Sequence, residues 1–167
     1  MNYLKISLGI FTLLAASRFI PHPPNFTSLL ALSFYVPVFF GIKFLPALVI
    51  GFILTDIHIG LHGTIFFTWG SVIMIGLISK FFSDTMFKRI SGALLGACIF
   101  FLITNFGVWT SGYYGYSING LILCFYLALP FFAYSLISTF VFSGIFETIY
   151  KFKSNIKNKF LNLNFNK

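Results

Sequence analysis

Six long apolar segments, set off from one another by Pro, Gly and scattered charge, are the feature that most constrains this chain. They run near Tyr3–Ile20, Phe26–Gly41, Phe44–Leu61, Thr64–Phe82, Ile90–Trp109 and Leu121–Phe146. A bilayer core takes about 20 apolar residues as helix, so each segment reads as a membrane span, the second being short. Charged residues make up 8% of the chain and hydrophobic ones 58%, whereas a soluble domain carries roughly 25% charge. Too little charge remains to cover a water-facing surface. The expectation is an all-α, polytopic membrane protein, with a single six-helix domain over residues 1–146 and a basic tail over 147–167. Pro130 is expected to kink or break the sixth segment, because proline removes a backbone donor and clashes one turn back. The run Ile6–Ala16 after Lys5 has signal-peptide character. Leu14, however, falls where a cut after Ala16 would need a small residue, so the segment is kept as a span.

Orientation follows from the basic residues. With the N-terminus inside, the cytoplasmic side collects Lys5, Lys43, Lys80, Lys88, Arg89, Lys151, Lys153, Lys157, Lys159 and Lys167, and the outside receives Arg18 alone. Both termini are therefore expected in the cytoplasm. The net charge of +8 belongs to this asymmetry rather than to nucleic-acid binding. In the tail, Ile149, Phe152, Ile156, Phe160 and Leu163 recur at helical spacing. That pattern fits a helix lying on the anionic inner leaflet, and a solvated, topology-fixing tail fits as well.

The same orientation sends most unusual residues to the outer face. There lie "SRFIPHPPN" (17–25), "TDIHIGLHGT" (55–64) and "TNFGVWTSGYYGYSING" (104–120), the three external connections. Asp56 sits inside a span near a helix C-terminus, where the macrodipole disfavours an acid. An intramembrane carboxylate needs a partner, and Arg18 is the external basic residue that can supply one. His58 and His62 are four residues apart, on one face of a continuous helix, a spacing that can chelate a metal. Asp56 could join them only across a break, which Gly60 or Gly63 would have to provide. The pair is thus a weak metal candidate. Asn105 must find hydrogen-bond partners for a buried amide, either by clamping its helix or by contacting a ligand. Trp109, Tyr113, Tyr114 and Tyr116 fit an aromatic belt or a surface that stacks on a planar ligand. Pro21, Pro23 and Pro24 make a rigid turn from which His22 and Asn25 can present polar groups. Gly92-xxx-Gly96 and Ala93-xxx-Ala97 permit close helix approach.

No paired carboxylates, phosphate loop or Ser, His and Asp set with readable order occurs, so an enzyme is not expected and no cofactor is called for. Cys98 and Cys124 lie in apolar runs and read as small hydrophobes.

The stretches "RFIPHPPNFTSLLALS", "TDIHIGLHGTIFF" and "TNFGVW…NGLILCFYLALPFF" together resemble a family of small bacterial membrane proteins of unknown function. That family is itself similar to the substrate-binding S components of energy-coupling-factor (ECF) transporters. The resemblance covers roughly Arg18 to Glu147. It implies an S-component-like fold of six helices in the bacterial cytoplasmic membrane, and a ligand pocket roofed by external loops one, three and five. The positions it carries over are Arg18, Pro23, Pro24, Asn25, Asp56, His62, Asn105, Gly107 and Trp109. It also implies an ECF-type coupling subunit as partner. The usual Ala-xxx-Ala docking motif of the first helix is absent, however, and only Thr12-xxx-Ala16 stands there.

The resulting expectation is a membrane transport component that binds a small, vitamin-like organic micronutrient. Arg18, Asn25, Asp56, His62 and Asn105 would supply polar contacts, and Trp109 and Tyr113 a stacking surface. One alternative is a metal or metallocofactor binder using His62 with His58 or His22. A second is a structural or assembly protein whose polar residues only join helices.

Overall fold

The computed structural model describes residues 3–165, with side chains through Lys153. All regular structure among the described residues is helical: α1 (Tyr3–Phe19), α2 (Leu29–Phe40), α3 (Leu45–Ile59), α4 (Ile65–Ile78), α5 (Met86–Thr110) and α6 (Ile118–Phe165). Short 3-10 turns at Ile42–Phe44 and Ser79–Phe82 extend α3 at its start and α4 at its end. With those turns included, the stretches Ile42–Ile59, Ile65–Phe82, Met86–Thr110 and Ile118–Lys153 are long and apolar enough to cross a membrane. The helix α2 is apolar but has 12 residues.

Consecutive helices alternate in direction. At one end the Tyr3 hydroxyl donates to the Lys43 carbonyl at 3.2 Å; at the other, Arg18 pairs with Asp56, so α1 and α3 run side by side in parallel. The helices α5 and α6 are antiparallel, joined near one end by Arg89 and Glu147 and toward the other by Cys124 Sγ donating to the Asn105 carbonyl. Between α1 and α6 lies α2, buried on every side from Leu29 to Pro37. Burial all round is what an apolar helix with no polar face requires.

The small-residue pairs of α5 pack within the fold. Ala93 and Ala97 are fully buried, Gly92 lies against Phe34 and Phe82, and Gly96 lies against Ile75. A Cβ on Gly92 would stand 2.6 Å from Phe34 Cε2 and 2.7 Å from Phe82 Cβ. Gly92→Ala is therefore expected to destabilise by ~1–3 kcal/mol, as overpacked cores do. Thermal melting in detergent reads the loss; a change in oligomeric state at unchanged melting temperature would instead place this face between molecules.

Three boundaries depart from expectation, each for a local reason. The helix α3 stops at Ile59 because Gly60 takes φ +126° while its N–H caps the Asp56 carbonyl at 2.8 Å. This is backbone freedom that glycine alone has cheaply. The helix α5 starts at Met86, ahead of the apolar run, because Thr85 Oγ1 accepts from the Lys88 N–H. That is an N-cap, reinforced by Lys88 Nζ donating to Asp84 at 2.7 Å. The helix α6 passes Pro130 and continues to Phe165. The periodic face expected in the tail at Ile156, Phe160 and Leu163 lies outside the residues whose side chains are described.

Candidate functional site

The α1 C-terminus delivers Arg18 to the end of α3. Arg18 Nη2 donates to Asp56 Oδ1 at 2.6 Å and Nη1 to Thr55 Oγ1 at 2.7 Å. Its guanidinium carbon sits 4.7 Å from the centroid of the Phe52 ring. Trp69 Nε1, from α4, donates to Asp56 Oδ2 at 2.7 Å. Each carboxylate oxygen thus has a protein donor, which is how a 3% exposed acid is held. The helix dipoles work in opposite directions here: Arg18 in the last turn of α1 is favoured, and Asp56 near the end of α3 is not. The cation beside Asp56 offsets that disadvantage.

Above this cluster the PHPPN turn folds back. Asn25 adopts φ +62°, a left-handed conformation that Asn tolerates better than most residues. Its carbonyl accepts from Ser138 Oγ of α6 at 3.4 Å. His22 Nδ1 lies 2.7 Å from the Pro23 carbonyl and Nε2 3.3 Å from that of Arg18, so the ring is fixed by backbone. Below the turn is a cavity of about 300 Å³ lined by Arg18, His22, Asn25, Asp56, His62 and Ser135, with Phe52, Leu30 and Phe100 as apolar walls. This volume is at the lower end of small-molecule sites.

The structure therefore brings Arg18, Asn25, Asp56 and His62 to one cavity. Asn105, Trp109 and Tyr113 do not line it. The Asn105 amide donates to the Phe101 carbonyl of its own helix at 2.7 Å. Trp109 packs against Phe106 and Tyr116, and Tyr113 is 80% exposed. The expected His58–His62 face does not form either. Gly60 ends the helix between them, so His58 packs edge-on against Phe19 and His62 pairs with Thr64 Oγ1 at 3.0 Å. Among the described residues no three His, Cys, Asp or Glu side chains gather as metal ligands.

Two partners escaped the sequence reading. Trp69 could have been suspected from its position in the segment following Asp56, since an indole N–H suits a buried carboxylate. The second is a pair at the opposite end, where Arg89 Nε and Nη2 meet Glu147 Oε1 and Oε2, both at 2.6 Å. Its signal was a register: Ser135, Thr139, Ser143 and Glu147 repeat every four residues, and all four are buried.

An all-helical chain with helices fit to cross a membrane, and a polar cavity near one end of them, is the class these features define. The chain belongs to a family of unknown function (DUF6580), whose model matches residues 2–161. No curated protein and no solved structure matches it.

Proposed function

We propose that this protein is a substrate-binding membrane transport component, S-component-like, with six passes through a bacterial cytoplasmic membrane and both termini inside. The observation that carries this reading is the convergence of Arg18, Asn25, Asp56 and His62, from separate stretches of chain, on one cavity. The alternating helix directions and the gathering of lysines at the other end support it. The ligand is a small organic molecule with an acceptor group. Arginine has five N–H donors, and the bonds to Thr55 and Asp56 leave some for a ligand, while Phe52 and Phe100 offer aromatic walls. Ligand enters from the Arg18 end, and inward release takes a tilt of the protein or a partner such as an ECF-type coupling subunit. On α1, Thr12 and Ala16 are exposed for such a contact. A structural role is the second reading, favoured by the full pairing of the Asp56 oxygens.

Native mass spectrometry of protein gently extracted from its own membranes tests this. The expected result is a stoichiometric organic adduct, held roughly tenfold more weakly in Asn25→Ala or His62→Ala, about one hydrogen bond's worth. Both side chains are exposed; His62→Ala should melt near wild type, and Asn25→Ala modestly below it, because alanine is strained at φ +62°. A folded wild-type protein with no adduct would move the conclusion to the structural role.

A further inference from the structure

At the lysine-bearing end, α1 and α6 both lean on α2 but scarcely on each other. Between them runs a groove of about 790 Å³, far larger than the cavity at the Arg18 end. Its walls are Ile6, Leu13, Val36, Phe40, Phe146 and Ile149, and Lys5 and Lys153 also line it, one from each flanking helix. The α1 wall contains Gly9, and a Cβ built there meets nothing within 4 Å. Glycine inside a helix costs about 1 kcal/mol relative to alanine, and at Gly9 no close neighbour demands it. What the missing side chain does leave is room in the groove.

We infer that this groove is a binding site for one anionic phospholipid, its acyl chains along Leu13, Val36 and Ile149 and its headgroup between Lys5 and Lys153. The match is one of charge and polarity. A long apolar trough ending at two ammonium groups complements an amphiphile with a negative head, and the lysine-rich end of a membrane protein faces the anionic leaflet. A zwitterionic lipid would fill the trough but gain little from the lysines. A helix from a partner protein would fill it without needing an anion at that end. The inference is independent of the ligand reading, since none of these residues lines the other cavity.

The test uses the full chain, delipidated in detergent and titrated with phosphatidylglycerol or phosphatidylcholine of identical acyl chains. Native mass spectrometry counts the lipid retained. Wild type should hold one phosphatidylglycerol at roughly tenfold or greater preference, since each lysine near a headgroup contributes measurably. Gly9→Phe should abolish retention of both lipids at unchanged melting temperature, and Gly9→Leu serves if the phenylalanine variant misfolds. Lys5→Gln with Lys153→Gln should erase the preference while phosphatidylcholine retention persists. Lys80→Gln, at the same end but outside the groove, should change nothing. Equal affinity for the two lipids, undiminished phosphatidylglycerol retention in both Gly9 variants, or an equal loss in Lys80→Gln would overturn the site.

Discussion

Glu147→Ala should lower the stability of the protein by ~3–5 kcal/mol, the penalty for stripping one partner from a buried ion pair. In a chain of this size that corresponds to a fall in melting temperature of roughly 6–20 °C. The Arg89 and Glu147 side chains are 10% and 3% exposed and meet through two parallel hydrogen bonds, the bidentate geometry that gives arginine–carboxylate pairs most of their strength. Arg89 also donates to the Ser83 carbonyl and lies 5.3 Å from the Tyr150 ring centroid, so it cannot swing out to water when its partner is removed. Replacing both, as Arg89→Met with Glu147→Leu, should recover most of the loss, because apolar residues of similar volume leave no stranded charge. A single variant that melts within a degree of wild type would sink this account.

The Arg18–Asp56 pair should respond asymmetrically. Arg18→Ala leaves a 3% exposed carboxylate at the unfavourable end of a helix with Trp69 as its remaining charge-stabilising donor, and is expected to cost ~3–5 kcal/mol. Asp56→Ala leaves a guanidinium that is 14% exposed and borders the cavity. Partial hydration there should hold the loss to about 2–3 kcal/mol. Melting curves of the two single variants decide it. Equal losses, or a larger one for Asp56→Ala, would mean that water reaches the carboxylate as readily as the guanidinium.

The helical segments and the Arg18–Asp56 partnership were legible because hydrophobic length and intramembrane charge are costly to get wrong. An apolar run must be a helix in lipid, and a lone acid in one must find a cation. Chain ends of helices were less legible. Gly60 could have sat within a helix or ended one, and the choice separated His58 from His62. Glu147 reads as the first residue of a polar tail when hydropathy alone is followed. The partner that draws it inward, Arg89, is distant in the chain and was counted among the topology-setting cations. Asn105 was open between clamping its helix and contacting a ligand: half-buried, its amide satisfies itself on the carbonyl one turn back, and nothing in its neighbours announces that outcome. Trp109 joined the site through the resemblance and its place in the external connection, and Tyr113 through that connection alone, and neither basis fixes where a side chain points.

The short α2 has a consequence for how the protein is made. Leu30, Ala31 and Phe34 are covered by Ile75, Ala93 and Ala97, residues that leave the ribosome well after α2 itself. At 12 residues and 1.5 Å per residue, α2 measures about 18 Å against a hydrocarbon layer of about 30 Å. When first synthesised it therefore has neither the length to settle across lipid alone nor the neighbours that later enclose it. Its early companions are α1 and α3, tied to each other at both ends. The final burial of α2 waits for α5 and then α6, whose Phe142 and Phe146 pack on the same cluster, so the last half of the chain to be translated completes the first.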